Sequence, residues 1–101
     1  MFIASAKKVF DAITGAKAWT VLDRDWRLLD QNRSSINILA SGTCSSFSMQ
    51  PKQSYDGVTW INIGAAITTK DALTAITGIV LPYFKLDVTS VVGGNLTVWV
   101  A

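Results

Sequence analysis

The sequence predicts an all-β protein, a single antiparallel β-sandwich of immunoglobulin-like or jelly-roll-like type. Three observations carry that expectation. Apolar and polar residues alternate over short runs, most clearly in Ile36-Asn37-Ile38, Phe84-Lys85-Leu86-Asp87-Val88 and Leu96-Thr97-Val98. That is the period of a strand with one face on a core. Glycine and proline punctuate these runs at the short spacing typical of sandwiches and barrels. After position 20, no region between the runs offers a convincing helix of ten or more residues.

Taken in order, residues 1–18 stand apart as an N-terminal arm or short helix, and residues 19–101 form the sandwich domain. The first segment is Ala-rich and carries Lys7, Lys8, Asp11 and Lys17. Phe2, Val9, Phe10 and Ile13 give partial helical spacing, with Gly15 as a stop. Val9-Phe10 and Ile13-Thr14 suit an extended arm or first strand as well. Trp19 to Leu22 is a strand candidate, and Trp26 to Leu29 is a second. Ser35 to Ala40 alternates, with Ile36, Ile38 and Ala40 on one face, until Ser41-Gly42 breaks it. Cys44 to Gln50 turns Phe47 and Met49 inward, and Pro51 marks an edge or the strand end because it has no ladder donor. Asp56-Gly57 is a strong turn signal and reads as the corner of a hairpin. Val58 to Ile63 then returns, with Trp60 directed inside. A short strand is expected near Ala66, at most one helical turn over Asp71 to Ile76, and a short strand at Gly78 to Leu81. Tyr83 to Val88 and Asn95 to Val100 close the chain around the Gly93-Gly94 turn. Shared parity makes Ile36, Ile38, Phe47, Trp60, Phe84, Leu86, Val88, Leu96 and Val98 one expected core.

Composition narrows the function. The 101-residue chain is 50% hydrophobic and only 16% charged, against about 25% charged in an ordinary globular domain. So few charges predict surface shared with neighbours, hence a homo-oligomer or a docking partner. The net charge of +2 and the absence of any basic cluster beyond Lys7-Lys8 give no case for nucleic acid. No run of about 18 apolar residues suggests a membrane span. Lys7 and Lys8 interrupt the apolar start, unlike a signal peptide, so the expected product is soluble and made in a cytoplasm.

Chemistry is sparse. There is no histidine and a single cysteine, Cys44. Histidine-dependent triads, cysteine metal sites and an intrachain disulfide are therefore excluded. No catalytic residue, cofactor or metal site is expected, and the protein is read as not an enzyme. Asp23-Arg24-Asp25 with Arg27 and Asp30 pairs carboxylates with arginines, which reads as local ion pairing. Ser45, Ser46, Ser48, Gln50, Gln53 and Asn62 read as a polar exterior. Trp99 points opposite to Leu96 and Val98, as an interface anchor or as a ring under the N-terminal segment. Phe2, Ile3, Phe10 and Trp99 are the candidate interface residues.

Several of these stretches also carry a resemblance. They are Asp25-Trp26-Arg27, Ile36-Asn37-Ile38 before Ser41-Gly42-Thr43, and Phe47 to Gln50 leading into Ser54-Tyr55-Asp56-Gly57-Val58-Thr59-Trp60. Tyr83 to Val88 and the closing Gly93-Gly94-Asn95-Leu96-Thr97-Val98 complete the series. Over residues 20–101 the chain resembles small β-sandwich structural proteins of tailed bacteriophages, among them head decoration (cement) and head-fibre-like proteins. The resemblance implies a virion part without catalysis, bound to the major capsid protein or another virion protein, with a trimer as one expected state. A tail-fibre or head-fibre adhesin, or a carbohydrate-binding sandwich, is the alternative expectation.

Overall fold

In the computed structural model, residues 7–21 and 35–101 are described. They form eight strands in two antiparallel four-stranded sheets. The strands are β1 (Lys7–Ile13), β2 (Lys17–Val21), β3 (Ile36–Ser41), β4 (Ser46–Ser54), β5 (Ile61–Asn62), β6 (Leu73–Ile76), β7 (Tyr83–Val92) and β8 (Leu96–Val100). The first sheet has the order β1-β8-β3-β6 and the second β2-β7-β4-β5. The two pack face to face as the expected β-sandwich.

The core follows strand parity. Ile36, Ile38 and Ala40 of β3, and Leu96, Val98 and Val100 of β8, point in from the first sheet. Phe47 and Met49 of β4, and Phe84, Leu86 and Val88 of β7, meet them from the second; all are buried. Trp19 of β2 packs edge-on against Phe84, with ring centroids 6.2 Å apart. That geometry suits the positive ring edge against a negative face. Cys44 is buried as a free thiol.

In the N-terminal part the first-strand alternative holds, and residues 7–18 form neither a helix nor a separate arm. Lys7–Ile13 is β1, paired antiparallel with β8 in the sandwich's own first sheet. Phe10 is 1% exposed and belongs to the core, so it is not a docking residue. Two register shifts, between Lys8 and Phe10 and between Phe10 and Ile13, explain why the period-two pattern is broken here. Ala12 adopts a positive φ of 52° within this irregular stretch. Its amide donates to the Thr97 hydroxyl at 3.0 Å, which holds the distorted strand to β8. Phe2 and Ile3 lie outside the described residues, as do the charged stretch 23–30 and the Trp26–Leu29 strand candidate.

Four further expectations change. Pro51 does not end its strand; β4 runs through it to Ser54. The Pro51 carbonyl accepts from the Ile63 amide at 2.9 Å. In an antiparallel strand a residue's N and O face the same side. The donorless nitrogen therefore faces Ile63, and the ladder to β7 loses nothing. Leu73–Ile76 is a strand rather than a helical turn, and residues 78–81 are a loop that buries Ile79 and Leu81. Gln53, expected on the polar exterior, is buried and holds that loop. Its Oε1 accepts from the Val80 and Leu81 amides at 3.0 and 3.1 Å, and its Nε2 donates to the Gly78 carbonyl at 3.2 Å.

Trp60 is the main correction to the core. It is half-buried on the outside of the second sheet, beneath the Lys85 ammonium 4.5 Å from the ring centroid. Of the expected Val58–Ile63 strand only Ile61–Asn62 forms β5; its register sets Asn62 opposite the outward Lys52, and Trp60 shares that outward parity. Trp60→Ala should therefore lower stability by about 1 kcal/mol, the scale of one exposed cation–π contact, rather than the about 3–5 kcal/mol of a deleted core ring. A urea-melt loss above about 3 kcal/mol would place the ring back in the core.

Candidate docking surface

The outward residues of the two sheets differ in kind. On the second sheet, Lys52 and Asp87 form an ion pair at 3.3 Å, and Lys85 covers Trp60. Gln50, opposite Asp87, and Ser48, opposite Ser90, continue this face along β4. This is a solvated, charge-compensated face, and its partly exposed ion pair is worth at most about 1 kcal/mol.

The first sheet presents something else. Trp99 on β8 is opposite Lys8 on β1 and Leu39 on β3, and Leu39 is in turn opposite Leu73 on β6. Directly opposed residues share a face. Lys8, Trp99, Leu39 and Leu73 therefore make one row across all four strands, about 14 Å long at the usual strand spacing. Trp99 and Leu39 are half-buried, and Leu73 is 73% exposed. Ala75, exposed on the same strand, lies opposite Asn37 in the neighbouring row. The Lys8 ammonium sits 5.0 Å from the Trp99 ring centroid and 3.8 Å from Asp11, so the charged end of the row is held to one side. Of the two expected interface residues among the described residues, Trp99 lies on this surface and Phe10 is in the core. Leu39 and Leu73 were missed, because nothing in their local sequence marks them. Their significance comes from register with Trp99.

A second apolar cluster lies at one end of the sandwich. The loop from β4 to β5 exposes Tyr55 (78%) and Val58 (80%). With Ile61 and Leu81 it borders a hollow of about 150 Å³. The loop is built rather than loose. The Asp56 carboxylate accepts from the Val58 and Thr59 amides at 2.8 and 2.9 Å. The buried Ser54 hydroxyl accepts from the Asp56 and Gly57 amides and donates to Asp56. Gly57 has φ 79°, a conformation glycine adopts without strain. The Asp56-Gly57 signal thus marks a real hairpin corner, spread over a longer loop than a two-residue turn.

The amides of Thr59 and Val58, then the Ser54 hydroxyl, hold the Asp56 carboxyl below its ordinary value of 3.8. A depressed carboxyl stabilises the folded form above its unfolded value and loses that effect as pH falls through the folded one. The loop should therefore keep its conformation through mildly acid solution and loosen only below the ordinary aspartate range. An NMR titration following the Val58 and Thr59 amides checks this; a midpoint at or above 3.8 would contradict it.

The three tryptophans among the described residues share one feature. Lys7 lies 5.9 Å from the Trp19 centroid, Lys8 5.0 Å from Trp99 and Lys85 4.5 Å from Trp60. Each ammonium occupies a ring face on which a sugar would otherwise stack.

With the surfaces placed, the whole fold can be compared with known proteins. It is similar to the SPBc2 prophage-derived protein YomS. The crystal structure of that protein superposes with a TM-score of 0.71, over 97% of this chain and 91% of that one, at 10% sequence identity. At that identity the likeness is one of fold. No family model matches the chain, and no curated protein matches it.

Proposed function

We propose that this protein is a non-enzymatic structural component of a phage virion, and that it docks on a preformed protein lattice as a head decoration protein. The observation that carries the reading is the Trp99–Leu39–Leu73 row on the outer face of the first sheet. A flat, largely uncharged strip centred on a tryptophan is what a protein–protein contact uses as its core. The fold likeness to a prophage-derived protein supports a phage setting. The low overall charge supports binding by apolar contact. The lysines over the tryptophan rings favour a protein partner over a glycan. The lattice would be the major capsid protein or another virion protein, and copies would associate at its symmetry positions.

The reading is tested by mixing purified protein with particles that lack it and sedimenting the mixture in 0.1 M and 1 M salt. Surface charge attraction is largely screened over that range, as the Debye length falls from about 10 Å to about 3 Å. Occupancy is expected to survive. Release at 1 M salt would show a charge-steered contact and overturn the apolar strip as the docking surface.

A further inference from the structure

We propose that β6 accepts an added strand, and that its occupant is an extended, uncharged arm of the partner protein. The proposal rests on the docking reading for the partner's nature; its site is the backbone edge of β6, which adjoins the docking row at Leu73.

A sheet edge offers unpaired backbone groups, and sandwiches blunt such edges with bulges, charge, proline or shortness. Among the described residues the first sheet ends at β1 and β6 and the second at β2 and β5. β1 carries two register shifts and Lys7-Lys8. β2 opens on Lys17, and β5 is only two residues long. β6 is Leu73-Thr74-Ala75-Ile76, with no charge, no proline and no bulge against β3. It is the unguarded one.

The register shows which of its backbone groups face outward. Asn37 exchanges both hydrogen bonds with Ala101, at 2.8 and 2.9 Å, on the β8 side of β3. Neighbouring residues of a strand face opposite sides. Ile36 and Ile38 therefore face β6 and bond to Ile76 and Thr74, their register partners. The Ala40 carbonyl, which accepts from the Asp71 amide at 2.7 Å just before β6, follows the same β3 parity. Leu73 and Ala75 are left with N–H and C=O directed away from β3.

Among the described residues, the sandwich is open beside this edge. The Thr14–Ala16 link joins β1 to β2 and closes the opposite side. Between β6 and the segment after β5 runs a groove of about 290 Å³, bordered by Pro51, Ile63, Ala65, Ile67, Ala75 and Ile76. None of its lining residues is charged. An arm paired with Leu73 and Ala75 would alternate its side chains between this groove and the Leu73 side of the sheet, the usual mode of strand addition. The groove selects small aliphatic or hydroxyl side chains. A four-residue edge is about 13 Å long. Two rigid bodies meeting along it would bury far less than the roughly 800 Å² per partner of a stable interface. A flexible arm that continues along the groove fits better than a second copy of the sandwich.

The test uses an uncharged octapeptide of alternating threonine and valine as probe, titrated into isotopically labelled protein. Shifts are expected over residues 73–77 and 63–67, with slowed amide exchange at Leu73 and Ala75. Ala75→Pro removes one outward N–H and leaves the β3 ladder intact. It should weaken the probe about tenfold, the scale of one lost hydrogen bond. Ala75→Lys, at an exposed position, guards the edge without altering the backbone and should weaken it likewise. Equal binding by both variants, or shifts confined elsewhere, would overturn the proposal. Concentration-dependent protection of Leu73 without peptide would replace the arm with a second copy and overturn it too. Particle binding that persists in both variants would reject this site while leaving the lattice-docking reading standing.

Discussion

Phe10→Ala is expected to lower the free energy of unfolding by about 3–5 kcal/mol, the range for a phenylalanine deleted from a packed core. Phe10 is 1% exposed and packs in the cluster formed by both sheets. Its strand supplies one edge of the first sheet, paired along β8. The same placement predicts the outcome of a truncation. Deleting residues 2–16 removes β1 and Phe10 together, and the remaining chain should be severely destabilised. If residues 1–18 were a separate arm, both changes would leave the folded domain intact and act only on assembly. Urea melts of Phe10→Ala decide between the two. A loss below about 1 kcal/mol would show that β1 does not complete the core.

Leu73→Asp should leave the fold unchanged and weaken lattice binding at least roughly thirtyfold, the factor for 2 kcal/mol at a hot spot. The side chain is 73% exposed, and exposed substitutions alter stability by only about 0.5 kcal/mol. In a docked complex, however, the new carboxylate would be desolvated beside Trp99 and Leu39 without a partner. Lys52→Asp on the opposite face is the control. It breaks the ion pair with Asp87 but should leave occupancy unchanged. Equal loss with both substitutions would mean that the outer face of the first sheet has no special part in binding.

Regular strands were legible in the sequence, and irregular ones were not. Ile36, Ile38 and Ala40, like Phe84, Leu86 and Val88, keep strict alternation through strands whose one face is buried, so parity alone placed them. β1 was legible only as an alternative to a helix or arm, because its register shifts move Phe10 out of step with its neighbours. Trp60 was misplaced because the parity of β5 is set by its pairing, with Asn62 opposite Lys52, and that parity turns Trp60 outward. Pro51 reads as an edge or a strand end, since the sequence does not reveal that its nitrogen faces away from β7. Gln53 looked like surface until the 78–82 loop supplied partners for both ends of its amide. For the docking surface, only Trp99 had a local signature. Leu39 and Leu73 lie far apart in sequence and become one row only through the pairing of β3 with β6 and β8, which no local pattern encodes. The Ser54–Asp56 turn was legible because its hydrogen bonds are local.

Cryo-EM of particles that lack the protein, after incubation with the purified chain, tests the central claim most directly. The expected result is added density on the head shell, with the outer face of the first sheet against the lattice and the Lys52–Asp87 face toward solvent. Density confined to the tail tip or fibres would contradict the decoration reading in favour of an adhesin. Particles that bind none of the protein would contradict the virion reading altogether.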